Sequence, residues 1–174
     1  MIEPKQKVFM RLYEPVHPKL ERFCKARAYG EMDWKDMLQD AVLIAYRQLE
    51  QLRAQEAFPS FIFGIALRVL ANHRRKKRPQ SRDLAQDPAF AHLGVESSER
   101  TQMERDWLYQ ALSKLPEQQR EAILLFEISG FSIKEIAELQ QSSESAIKQR
   151  LSRGRQQLLE QLQAFNSSTT HVEP

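Results

Sequence analysis

The stretch GFSIKEIAELQQSSESAIKQRLSRGRQQL, Gly130–Leu158, decides how the rest of the chain is read. Ser132 and Glu135 stand in an S-x-x-E spacing ahead of an apolar run. At that spacing a hydroxyl and a carboxylate satisfy each other's free backbone N–H at a helix start. Ile133, Ile136, Ala137 and Leu139 supply the inner side of a short helix, and the small Ala137 lets another helix cross closely. Gln140–Ser143 is a polar turn, with Ser142 or Ser143 as the next N-cap. On a wheel of about 100° per residue, Ile147, Leu151, Gly154 and Leu158 of the following helix fall in one stripe. Ser145, Gln149, Ser152 and Arg153 face the other way. Lys148 and Arg155 lie along one edge of that outer face and Arg150 along the other. A helix entering a major groove needs polar groups at its centre and cations on its flanks. A solvated basic face has the same wheel, but the capping box, short turn and basic helix together favour a DNA-binding helix–turn–helix.

Working outward, the 174-residue chain can hold one ordinary core or two small ones. Only five Gly among 41% hydrophobic residues suits a helical protein. Downstream of Arg100, Trp107, Leu108, Ala111, Leu112 and Leu115 mark one helix. Pro116 opens another that continues through Ile128, and Gly130 stops it. Upstream, Val8–Ala28 is helical in spacing, interrupted at Pro15 and Pro18. Asp33 caps a long helix to Arg53, whose stripe is Leu38, Ala41, Val42, Ala45, Leu49 and Leu52. After a break at Gln55–Pro59, Ser60–Lys77 begins apolar and ends in a cationic run. The reading is all-α: two small helical domains, residues 1–78 and 100–165, joined by a flexible linker, 79–99, with a disordered tail, 166–174.

Net charge is unevenly divided. Residues 1–78 hold 16 Lys/Arg against 9 Asp/Glu (+7), and residues 79–174 hold 10 against 14 (−4), which together give the net +3. A basic first half fits a polyanionic partner. The single cysteine, Cys24, excludes an internal disulfide. With no secretory signal and no spanning segment visible, a cytoplasmic protein without membrane insertion is expected. No phosphate-binding Gly loop or nucleophile elbow occurs. His17, Cys24, His73, His92 and His171 lack metal-ligand spacing, so neither an enzyme nor a cofactor or metal is expected.

Leu115-Pro116-Glu117, Arg120-Glu121, Gly130–Glu138, Ile147-Lys148 and Arg150–Arg153 together resemble the C-terminal helix–turn–helix domain of bacterial sigma factors, the extracytoplasmic-function type above all. DWKDMLQDAVLIAYRQL (Asp33–Leu49) resembles the helix of sigma domain 2 that binds core RNA polymerase. AFPSFIFGIALRVLANHRRKKR (Ala57–Arg78) is similar to the helix that opens and reads the −10 element. The two segments stand in the family's order and cover nearly the whole chain, with no room for a third domain. Phe61, Arg68, Asn72 and Gln141 depart from the usual Trp, Asn, Asp and Gly.

The resemblance implies an alternative sigma factor with three residue sets. Asp36, Gln39 and Asp40 would meet the clamp helices of the largest polymerase subunit; without the resemblance they read as surface carboxylates near a helix start. Phe58, Phe61, Arg68, Asn72, Arg74, Arg75, Lys76, Lys77 and Arg78 would serve the −10 region. Phe58, Phe61 and Phe63 also fit a core, and the basic run also fits a solvated helix end. Ser145, Gln149 and Arg153 would read −35 bases, with Lys148, Arg150 and Arg155 on phosphates. The family commonly has an anti-sigma partner. Two other readings are a stand-alone helix–turn–helix regulator and a sigma mimic acting only by protein interaction.

Overall fold

The computed structural model describes residues 3–77 and 99–169, and the chain divides into two compact units with the boundary at Leu93/Gly94. The expected linker lies outside the described residues apart from Glu99, which begins a helix.

The first unit holds α1 (Lys5–Tyr13), α2 (His17–Ala28), α3 (Trp34–Arg47) and α4 (Phe58–Lys77), with short 3₁₀ turns at Leu49–Gln51 and Gln55–Ala57. Pro18 sits in the first turn of α2, where a missing N–H costs no hydrogen bond. Gly30, at φ 76°, allows the tight turn closed by Glu31 N donating to Ala28 O at 2.9 Å. Asp33 caps α3 by accepting from Lys35 N at 2.8 Å.

The core is largely aromatic. Phe9 packs on Tyr13, Tyr46 and Phe58 with ring centroids 5.4 to 5.6 Å apart, and Phe23 meets Phe63 at 5.2 Å. Leu20, Met37, Ala41, Ala45, Ile62, Ile65 and Leu70 fill the rest. Cys24 is buried there, and burial pushes its thiol up to about 12, so it stays protonated.

Two expectations change in this unit. The third helix ends at Arg47 rather than Arg53. Its buried line runs through Met37, Ala41 and Ala45, one residue round from the expected Leu38 start, and Leu49 and Leu52 are only half-buried beyond the helix. The fourth helix starts two residues early, because Phe58 takes αR dihedrals and Pro59 fits the first turn.

The second unit holds α5 (Glu99–Ser113), α6 (Glu117–Ile123), α7 (Ile133–Leu139) and α8 (Glu144–Thr169). Where the sequence reads one regular helix to Ile128, α6 widens into a π turn over Leu124–Ile128, closed by Ser129 N donating to Leu124 O at 3.1 Å. Gly130, at φ 75°, then stops it. Ala111, Leu112, Leu115, Ala122, Leu124, Leu125, Ile136, Ile147 and Leu151 form the core. At Gly154, α8 crosses α6 so closely that a Cβ would lie 2.5 Å from Ile123 Cδ1. The tail expected from residue 166 is helical through Thr169, and Trp107 packs at a tilt against Phe165, ring centroids 5.2 Å apart, to hold that end of α8 to α5.

Candidate nucleic-acid interface

The helix–turn–helix forms as its residues require. Glu135 N donates to Ser132 Oγ at 3.2 Å and Ser132 N to Glu135 Oε2 at 2.8 Å, which completes the capping box. Ser143, of the two candidate serines, accepts from Ala146 N at 3.1 Å. The first helix ends in a Schellman motif, with Ser142 N donating to Ala137 O at 2.9 Å and Gln141 N to Glu138 O at 3.2 Å. That motif needs a left-handed residue at its corner, and Gln141 fills it at φ 50°. The turn is also tied sideways. Gln140 Nε2 donates to Gln118 O at 3.0 Å, and Arg150 Nη1 to Gln140 Oε1 at 2.8 Å. In the sequence Gln140 reads only as a turn residue. Its brace depends on an amide that reaches two other elements, which no local pattern signals.

On α8, Ile147, Leu151 and Gly154 face inward. Ser145, Lys148, Gln149, Ser152 and Arg153 are all exposed on the other side. The expected base-reading trio therefore shares one outward surface. Two of the expected phosphate clamps have partners inside the unit: Arg150 on Gln140, and Arg155 on Glu127 at 2.6 Å with its guanidinium over the Phe126 ring. The Arg155 pair is about half exposed on both sides. Such a pair contributes about 0–1 kcal/mol and yields readily to a phosphate.

In the first unit, α4 carries an outward line of Phe61, Arg68, Asn72 and Arg75, which lie within about 60° of each other on the wheel. Arg68, Asn72, Arg75, Lys76 and Lys77 are exposed, and Arg75 Nη2 donates to Asn72 Oδ1 at 2.8 Å. Phe61 is half-buried. Phe58, expected as stacking surface, is instead core: it is 1% exposed and wedged against Phe9 and Phe61. Phe63 is likewise core. Arg78 lies outside the described residues.

Arg74 departs from the outward line. Its Nε donates to Glu31 Oε2 and its Nη2 to Glu31 Oε1 at 2.6 Å. Arg27, fully buried, donates from Nη1 to the same Oε1 at 2.8 Å. Burial alone would raise the Glu31 carboxyl, but the hydrogen bonds and charges of Arg74 and Arg27 outweigh it and hold it below the ordinary 4.5. Glu31 keeps 20% and Arg74 32% of the side chain exposed, so losing one member costs less than the roughly 3–5 kcal/mol of a fully buried pair. The sequence does not signal Glu31, since its partners are four and 43 residues away.

The acidic set on α3 is also grouped. Asp36, Gln39 and Asp40 are exposed, and Leu43, which sequence reasoning passed over, continues the same face at 44% exposure. Its signal was a leucine at i+3 and i+4 from Asp40 and Gln39, outside the buried line. No helix of the described residues is long and apolar enough to cross a membrane.

Comparison with known proteins bears on both units. Residues 12–80 match the family model Sigma-70 region 2, and residues 105–158 match Sigma-70, region 4. The RNA polymerase sigma-H factor of Pseudomonas aeruginosa is 31% identical over 140 residues, covering 74% of this chain and 72% of that protein. The ECF RNA polymerase sigma factor SigM of Mycobacterium tuberculosis is 27% identical, covering 91% and 79%. Among solved structures, the sigma factor RpoE of Bartonella quintana, in complex with the anti-sigma factor NepR, is similar with a TM-score of 0.72 and 25% identity, covering 89% of this chain and 96% of that one. CnrH, solved with the cytosolic domain of CnrY, has a similar fold, with a TM-score of 0.67 and 24% identity, covering 91% of this chain and 90% of that one.

Proposed function

Because the chain belongs to the sigma-70 family as an alternative sigma factor of the ECF type, a non-enzymatic protein that directs transcription initiation, we propose how its surfaces divide that work. The outward face of α3, Asp36, Gln39, Asp40 and Leu43, docks on the clamp helices of the largest subunit of core RNA polymerase. Carboxylates at its rim steer the encounter, and an exposed leucine among them supplies apolar area to bury.

The outward line of α4 faces the −10 region. Phe61 offers ring surface to an unstacked base, and Arg68, Arg75, Lys76 and Lys77 hold phosphates. The outer face of α8 reads the −35 element through Ser145, Gln149 and Arg153, with Lys148, Arg150 and Arg155 on the backbone. Capturing an unpaired base costs a few kcal/mol of unstacking, which a pocket and backbone contacts recover without any covalent chemistry. Having both readers on one chain makes the second engagement local once the first has formed. The protein acts in the cytoplasm. Because the similar sigma factor RpoE is solved with the anti-sigma factor NepR, a protein of that kind is the natural regulator to seek.

The observation that carries this reading is that Ser145, Gln149 and Arg153 share one outward face of α8, and Phe61, Arg68, Asn72 and Arg75 one outward line of α4, while Ile147, Leu151 and Gly154 of α8 and Ile62, Ile65 and Val69 of α4 are buried. Run-off transcription from genomic fragments, with purified core and with or without this protein, tests it. New start sites that require both components are expected. Substituting Gln149 or Arg153 by Ala should change which sites are used, and Lys148→Ala should weaken all of them alike.

A further inference from the structure

Glu31 lies in the turn between α2 and α3, and nothing in the promoter-reading scheme uses it. Its carboxylate is fully engaged: both oxygens accept from Arg74, and one also accepts from buried Arg27. Arg74 stands at the start of the cationic run that ends α4, and on the wheel it lies roughly 130° from the Phe61–Arg75 line. Its fork therefore points across the unit rather than outward. A guanidinium held at two points fixes direction as well as distance, unlike a single ammonium contact. The last turn of α4 also concentrates four cations, Arg74 to Lys77. The charge of one of them is partly offset from beneath by a carboxylate it shares with Arg27, which eases the mutual repulsion of the run.

We propose that Glu31 is a positioning residue for promoter engagement. It acts through Arg74 as a strut that fixes the end of α4, so that Arg74 contacts no phosphate and, within the terminal run, the DNA-facing cations begin at Arg75. This rests on α4 facing promoter DNA. It makes an otherwise attractive assumption, that all cations of the run are equivalent, incorrect.

The test uses holoenzyme assembled from core and the full chain, bound to a promoter fragment across a salt series, with affinity for core measured alongside. Arg74→Gln and Glu31→Gln should each lower promoter affinity about tenfold, and the double variant no further. The log–log salt slope and the affinity for core should stay as in the parent. Arg75→Ala, in contrast, should reduce the slope by about 0.7–0.9, the loss of one phosphate contact. If Arg74→Gln reduces the slope by that amount and Glu31→Gln tightens binding, Arg74 is a phosphate contact that Glu31 restrains, and the proposal is overturned. It is equally overturned if Arg74→Gln lowers thermal stability but leaves promoter affinity intact. Arg74→Gln keeps the Glu31–Arg27 pair and carries the test should Glu31→Gln fail to fold. If Arg75→Ala is silent as well, the assignment of α4 to DNA falls, and the proposal with it.

Discussion

Two side chains show how far single-residue chemistry departs from pattern. Gln141 holds a left-handed conformation at φ 50° to complete the Schellman corner of the helix–turn–helix. A Cβ there costs about 1–2 kcal/mol, more than the roughly 0.5–1 kcal/mol that glycine loses in extra chain entropy. Gln141→Gly should therefore raise the melting temperature of the second unit, by the equivalent of about 0.5 kcal/mol, in calorimetry. Glu31 gives the pH counterpart. Its folded carboxyl titrates below the ordinary 4.5. The stabilisation is then fully present above about pH 4.5 and disappears as pH falls through the lower folded value. Acid unfolding of the first unit, followed by circular dichroism, should show this arm, and Glu31→Gln should flatten it while lowering stability at neutral pH. Glu21, lowered chiefly by its hydrogen bond from Lys25, is a half-buried i,i+4 partner at the helix surface and contributes less.

At the scale of elements, the sequence was informative wherever a local signal carried the structure. The capping box, the Asp33 cap, the Gly130 stop and the Ile147–Gly154 stripe are all short-range patterns, and the structure contains each of them. Long-range features were hidden. Leu49 and Leu52 keep the helical spacing yet follow the end of α3, because a leucine just past a helix end satisfies the same periodicity. Phe58 looked like reading surface because nothing local says that Phe9 will cover it. The same holds for Arg74, whose partner is 43 residues away. Gly154 was legible as an inward position but not as a close crossing. Gly154→Leu should cost the second unit about 1–3 kcal/mol by overpacking against Ile123. Ile123→Ala, which removes the clashing atoms, should return part of that loss in the double variant, as read by urea unfolding.

For the whole molecule, the consequence is a division of labour between surfaces of opposite sign. Carboxylates line an outward side of α3, and cations line outward sides of α4 and, in the other unit, of α8; polymerase binding and promoter binding should therefore fail separately. Asp36→Lys combined with Asp40→Lys should lower affinity for core by at least about tenfold, or 1.4 kcal/mol, and abolish run-off product. Arg153→Ala should leave core affinity unchanged and redirect or abolish start-site choice. Competition against a labelled parent protein for core, read by fluorescence anisotropy, distinguishes the two. The family and the sequence order of its domains were readable from motifs because those motifs are contiguous. Which cations face DNA was not, because that depends on acidic partners brought in by the fold.

The length of α8 sets its two ends well apart. Its 26 residues span about 39 Å at 1.5 Å per residue, with the reading side chains confined to one end. Gly154 seats the backbone against Ile123 partway along. The far end bears on the indole of Trp107 through Phe165, about 24 Å from Gln149 along the helix. Trp107 thus places an indole emission signal against α8 well away from the outward face of Ser145, Gln149 and Arg153.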